Sequence, residues 1–184
     1  MGEEYGEDAP FQYFVSFSGD QLINGVRKGR KSEFKKFHKK CTPPDPQDEA
    51  TFLRSKLNWE KREEGNHKTL LEYYKTLIKI RKEHPALSSL NSVNMEVEGH
   101  EGKKTVAIKR WLNGDESGLL CIFNFNKDTV QSTVSLAGAE EWEKFFDSAD
   151  TLWGGTGSSS SNVLTYNDAF TITGLSLSLY KRRG

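Results

Sequence analysis

Lys104-Thr-Val-Ala-Ile-Lys-Arg-Trp111 and Leu119-Leu-Cys-Ile-Phe-Asn-Phe125 decide the fold. The first alternates apolar and polar residues with period two, which places one side of a strand in a core. The second is a short, unbroken apolar run that reads as a buried strand. Asn113-Gly114-Asp115 between them is a turn signal. Further strands fit Val130–Leu136, Trp142–Phe146, Phe170–Thr173 and Leu175–Tyr180. Several short strands with close turns and no intervening helix predict an antiparallel β-sandwich. Gly154-Gly-Thr-Gly-Ser158 through Ser161 reads as a flexible loop between strands. No Gly-Lys-Ser/Thr follows it, so it is not a phosphate cradle.

Upstream of the strands, Asn66 to Glu83 is the clearest helix. Leu70, Leu71, Tyr74, Leu77 and Ile78 recur at 3.6-residue spacing. Asn66 suits the N-cap, Arg81 and Lys82 suit the C-terminal end, and Pro85 ends it. Tyr73 and Ile80 lie off the main stripe, so apolar residues cover more than half the girth. Residues 1–65 are irregular, with one short helix expected from Asp20 to about Lys28, capped by Asp20 and stopped by Gly29. Pro43-Pro-Asp-Pro46 reads as an extended elbow, because each proline biases its predecessor away from the helical region. A lone helix with few partners, preceded by a stretch with no sheet of its own, looks like the end of something larger. It predicts an exposed apolar strip from Leu70 to Ile78 that is prone to self-association.

Composition narrows the function classes. The 184 residues carry 26 Lys+Arg and 26 Asp+Glu, a formal net charge of zero. That balance argues against a globally basic nucleic-acid binder. The chain is apolar-poor, with 35% hydrophobic residues and a mean hydropathy of −0.69. No run approaches the roughly 20 apolar residues of a membrane span. The first residues are acidic where a signal peptide has a basic region, so a cytoplasmic protein is expected. Two distant cysteines, Cys41 and Cys121, form neither a disulfide framework nor a zinc ribbon and read as free thiols.

Other chemistry-bearing residues have plain readings. His38, His67, His84 and His100 lack metal-ligand spacing, and Asp45, Asp48 and Glu49 lack the glycine and terminal glutamate of a calcium loop, so no metal and no cofactor is expected. No serine sits in a Gly-x-Ser-x-Gly elbow. Arg27 to Lys40 carries eight lysines and arginines against one acid, Glu33, and reads as a solvated segment balanced by Glu60, Glu63 and Glu64. Trp111, Trp142 and Trp153 read as core, with glycan stacking as the alternative.

Several motifs carry a resemblance. Met1-Gly-Glu-Glu-Tyr-Gly6 followed by Pro10-Phe-Gln-Tyr-Phe14 resembles the segment after the last barrel strand of alpha-amylase-family glycoside hydrolases. Gly25–Phe34, Asp45-Pro-Gln-Asp-Glu49, Thr51–Trp59 and Leu77–Leu87 are similar to the carboxy-terminal part of the maltooligosyltrehalose trehalohydrolase family. The resemblance implies an α+β chain: the last turn and helix of a (β/α)8 barrel over residues 1–90, then an antiparallel β-sandwich over residues 91–184. It implies a retaining glycosidase of trehalose biosynthesis and α-glucan metabolism. Such an enzyme cleaves the α-1,4 bond of maltooligosyltrehalose with two carboxyl groups about 5 Å apart. In the family those groups lie upstream of the matched segment, so no catalytic residue is assigned here and the chain alone is expected to be inactive. Glu4 and Tyr5 are implied to lie near the substrate cleft, with Phe14 in its wall. The expected partner is α-glucan or maltooligosyltrehalose, with neither nucleic acid nor membrane. Two alternatives stay open: a non-catalytic glucan- or partner-binding sandwich, and a fragment of another amylase-family enzyme such as a branching enzyme.

Overall fold

A computed structural model of the chain describes residues 1–37, 42–89, 94–112, 118–135, 140–165 and 169–183, with the side chains of Lys36 and Phe37 left aside. The Asn113-Gly114-Asp115 turn, His38, Cys41 and the end of the Val130–Leu136 segment lie outside the described residues. The chain forms two compact units, residues 1–68 and 69–184. The boundary falls inside helix α3 (Gly65–Glu83), which matches the helix expected from periodicity.

In the second unit, six antiparallel strands form one sheet. They are β1 (Met95–His100), β2 (Thr105–Arg110), β3 (Leu119–Asn124), β5 (Trp142–Asp147), β6 (Val163–Leu164) and β8 (Ser176–Arg182), in the order β1-β2-β3-β8-β5-β6. A two-stranded sheet pairs β4 (Val130–Thr133) with β7 (Ala169–Ile172). The residues between β3 and β8 in sequence thus supply both the far edge of the large sheet and the small one.

Side-chain alternation explains why the sheet is covered twice. Along β3, Leu120 and Ile122 enter a cluster with Ala107, Trp142, Phe170, Ile172 and Tyr180, between the large sheet and the β4–β7 pair. Leu119, Cys121 and Phe123 point the other way, into a cluster with Phe146, Leu179, Tyr73, Leu77 and Ile80. The register Ile108↔Cys121↔Leu179↔Phe146 runs straight across that second face. An unbroken apolar run is therefore what β3 requires, because neither of its faces meets water. Each large side chain fully buried here contributes about 1.5–3 kcal/mol relative to its exposed state.

Several expectations are corrected. Helix α1 runs from Asp20 to Phe37, through Gly29 rather than stopping at it. A glycine costs a helix interior only about 1 kcal/mol relative to alanine and keeps both backbone hydrogen-bonding groups, so it weakens the helix without ending it. Helix α2 (Glu49–Ser55) rises directly from the proline elbow, with Asp48 accepting the Ala50 N–H at 2.9 Å as N-cap. Its seven residues leave Phe52 and Leu53 exposed, so no apolar stripe marks it in the sequence. The strip from Leu70 to Ile78 is not open: Leu70, Leu71, Tyr74 and Leu77 are half-buried and Ile78 is exposed.

The glycine–serine loop is fastened rather than flexible. The buried Asp147 carboxylate accepts from Ser158 Oγ at 2.5 Å, Ser178 Oγ at 3.0 Å and the Ala149 N–H at 2.9 Å. Lys144 Nζ donates to Ser158 Oγ at 2.8 Å and to the Ser160 carbonyl at 2.7 Å. Gly155 is needed there, because a Cβ would lie 2.2 Å from the Ala149 carbonyl oxygen.

The first unit has a thin core. Among its described residues Tyr5 is the buried large apolar side chain, beside Thr51 and Ser55. Phe11, Tyr13, Phe14, Phe17, Phe52 and Trp59 are exposed, Phe11 at 80%.

Candidate functional site

The first unit is organised around a carboxylate that the sequence did not single out. Residues Glu3–Tyr5 make one turn of 3-10 helix between Gly2 and Gly6, both at positive φ (79° and 67°). A Cβ on Gly2 would stand 2.7 Å from Glu7 Cβ, so the turn closes only over glycine. Glu7 follows with 1% side-chain exposure. Its Oε1 accepts the N–H groups of Asp8 and Ala9, both at 3.0 Å, and its Oε2 accepts the Asn58 N–H at 2.7 Å and the Tyr5 hydroxyl at 3.2 Å. Lys61 Nζ reaches Glu7 at 3.3 Å and also binds Asp8. The Ala9 N–H, joined by Asn58, Lys61 and Tyr5, outweighs burial and holds the Glu7 carboxyl at about 2. Glu7 is thus a fixed anion that ties the amino terminus to residues 58–61, with its oxygens fully engaged.

Tyr5 is buried, lies 6.2 Å from the Trp59 ring, and its carbonyl oxygen meets His67 Nδ1 at 2.8 Å. Burial, with the neighbouring Glu7 anion, raises its hydroxyl above the usual tyrosine range. Tyr5 is therefore a prop beneath the turn. Glu4, on the same turn, is half-buried, while Glu3 is exposed. Successive residues of a 3-10 turn point about 120° apart, so these two acids do not face one another.

Phe14 belongs to a separate groove of about 600 Å³, where it meets Phe52 edge-on at 5.2 Å. The groove is also lined by Val15, Gln47, Asp48 and Glu49. Its wall is stitched by backbone: the Val15 N–H donates to the Pro46 carbonyl at 2.8 Å, and Gln47 exchanges two hydrogen bonds with the Phe17 backbone. Asp45 closes the elbow from behind. The Arg27 guanidinium, with Nη2 at 2.8 Å and Nε at 2.9 Å, holds its carboxyl below the usual aspartate range. Arg27 and Arg30 thus pair with Asp45 and Glu33 rather than with Glu60, Glu63 or Glu64.

The structure therefore joins Glu4 and Tyr5 on one turn and places Phe14 in an aromatic groove. Glu7, Lys61 and Phe52 were missed. The contacts of Glu7 with Asn58 and Lys61 span more than fifty residues and leave no local signal. Among the described residues, no group of three or more His, Cys, Asp or Glu side chains is placed to hold a metal ion. No helix among them is long and apolar enough to cross a membrane.

No protein-family model matches the chain. Curated relatives do. The chain is 44% identical over 98 residues to a malto-oligosyltrehalose trehalohydrolase of Brevibacterium helvolum, covering 53% of this chain and 17% of that protein. It is 37% identical over 126 residues to that of Rhizobium sp. (strain M-11), covering 68% and 20%. It is 36% identical over 135 residues to that of Saccharolobus solfataricus, covering 73% and 20%. The chain thus spans about a fifth of the length of the curated relatives it matches. A solved structure, a putative alpha amylase from Salmonella typhimurium, superimposes on all of this chain and 27% of its own, with a TM-score of 0.68 and 29% identity. The resemblance carried by the motifs is met: sequence and fold relate this chain to malto-oligosyltrehalose trehalohydrolase and to the alpha-amylase type of glycoside hydrolase.

Proposed function

We propose that the chain is the carboxy-terminal portion of a trehalose-releasing glycoside hydrolase of the cytoplasm. The whole enzyme would act on the α-1,4 bond of maltooligosyltrehalose. The sequence match to trehalohydrolases over 98 to 135 residues carries this reading. On it, residues 1–90 close the catalytic barrel after its last strand, and residues 91–184 are the terminal β domain.

The thin core of the first unit supports the assignment. A unit whose described residues bury Tyr5 and expose Phe11, Tyr13, Phe14, Phe17, Phe52 and Trp59 has apolar surface that further polypeptide would cover. Within the whole enzyme, the Glu7 anion holds the Glu3–Tyr5 turn by its hydrogen bonds to Asn58, Lys61 and Tyr5. Glu4 is then presented toward the substrate cleft on a braced turn, with Tyr5 as the brace, and Phe14 with Phe52 forms part of the wall. The acid–base pair belongs to polypeptide outside this chain. Among the described residues, Glu7 and Asp147 have deeply buried carboxylates that are engaged in hydrogen bonds and free for neither role. Ile78 is the exposed large apolar side chain of α3 available for self-association.

Two assays test the reading. The purified chain incubated with maltooligosyltrehalose is expected to release no trehalose. A chimera of the Brevibacterium helvolum enzyme carrying this chain in place of its matching segment is expected to release it. Trehalose release by the chain alone, or a folded chimera that hydrolyses maltooligosaccharides without releasing trehalose, overturns the proposal.

A further inference from the structure

A small cavity of about 180 Å³ is lined wholly by residues of the second unit, at one end of the large sheet. Trp111, Trp142, Glu96, Glu140, Lys109 and Arg182 line it. Its construction follows from register. Glu96 and Lys109 are cross-strand partners on β1 and β2, and Trp142 and Arg182 are partners on β5 and β8, so all four come together where the strands end. Trp142 is fully buried, and Gly118 is required beside it, because a Cβ there would lie 2.8 Å from the indole ring. Trp111 is half-buried, and its backbone N–H donates to the Asn94 carbonyl at 3.3 Å.

The polar groups are balanced. Lys109 Nζ and Arg182 Nη2 each approach Glu140 at 3.3 Å, and Lys109 also stands 5.6 Å from the centre of the Trp142 ring. Two acids and two cations sum to zero, with both cations committed to one carboxylate. A cationic ligand would meet Lys109 and Arg182, and an anionic one would have to break an existing ion pair. A neutral polyhydroxyl ring would not: its hydroxyls can donate to Glu96 and Glu140 while accepting from Lys109 and Arg182. Its apolar C–H face needs an aromatic surface, which the half-buried Trp111 provides, while the buried Trp142 forms the floor beneath Lys109.

We infer that this cavity is a sugar-binding subsite taking a single glucosyl unit of an α-glucan. It is separate from the Glu4 turn and the Phe14 groove. Trp111 is the stacking wall, Glu140 the central acceptor, and Lys109 and Arg182 the donors. The choice of α-glucan among sugars rests on the glycoside hydrolase reading above, whereas the site itself rests on the residues lining the cavity. It would hold a glucan strand on the β domain at a second point, which raises the effective concentration of the strand near the enzyme.

The test is a titration of the full chain with maltoheptaose, followed through the indole N–H signals of its four tryptophans. Saturable shifts of Trp111 and Trp142, with Trp59 and Trp153 still, are expected. Trp111→Ala should weaken binding at least tenfold and Trp111→Phe should restore part of it. Glu96→Ala, at an exposed strand position, should weaken it severalfold and serves if Trp111→Ala fails to fold. Saturation confined to Trp59, no saturation up to tens of millimolar sugar, or equal affinity in the folded Trp111→Ala and Glu96→Ala chains overturns the subsite. Cellohexaose run in parallel separates the two readings. Shifts of Trp111 and Trp142 with cellohexaose but not maltoheptaose keep a sugar site and remove the α-glucan assignment.

Discussion

Replacing Asp147 with alanine is the sharpest structural perturbation of the second unit. The residue is 4% exposed, and its carboxylate accepts from two serine hydroxyls and the Ala149 N–H, with Lys144 Nζ at 3.7 Å. Hydrogen bonds to a charged group contribute about 1.5–3 kcal/mol each but do not add simply. The larger consequence is what remains behind. Lys144, with its side chain 12% exposed, keeps its charge and its bonds to Ser158 and Ser160 but loses its anion. Breaking a buried pair by removing one partner costs about 3–5 kcal/mol. For a unit of this size that lowers the melting temperature by about 10–20 °C. Calorimetry gives the loss, and hydrogen exchange at the Ser158–Ser161 amides locates it. Lys144→Met in the Asp147→Ala background should recover part of the loss by removing the stranded ammonium. A loss below about 1 kcal/mol, or a double variant no more stable than Asp147→Ala, refutes the claim that this pair fastens the loop.

Glu7 sets a pH dependence. Its carboxyl is held at about 2 when folded and returns to the ordinary carboxylate range when unfolded. Its contribution is therefore complete above that ordinary range and is lost as pH falls from about 4.5 toward about 2. A carboxyl-carbon titration should show Glu7 still ionised at pH 3.5, and a midpoint near 4.5 contradicts the network. Burial pushes the Cys121 thiol up to about 12. Iodoacetamide at pH 8 should leave the Cys121 peptide unmodified in the folded chain and label it within minutes in denaturant; equal labelling in both states places Cys121 at the surface.

Local periodicity made much of the fold legible. The alternation at residues 105–110, the apolar run at 119–124 and the 3.6-residue spacing after Asn66 each describe a segment's own geometry, and each appears as β2, β3 or α3. Turn residues separated the strands but did not say which would pair. β8 sits between β3 and β5, an arrangement fixed by burial on two faces at once. The same non-local cause explains α3. The residues of its second unit that meet the sheet are Tyr73, Leu77 and Ile80, two of them off the stripe that periodicity favours, while Ile78 on that stripe is exposed. The candidate sites divide similarly. Glu4, Tyr5 and Phe14 were reachable through motifs, but Glu7 and the Trp111 cavity depend on partners tens of residues away. A sequence alone fixes what each segment prefers, because propensity and period act over one or two turns. Which faces meet, which acid is buried and which indole lines a cavity depend on long-range packing, and only the tertiary structure decided them.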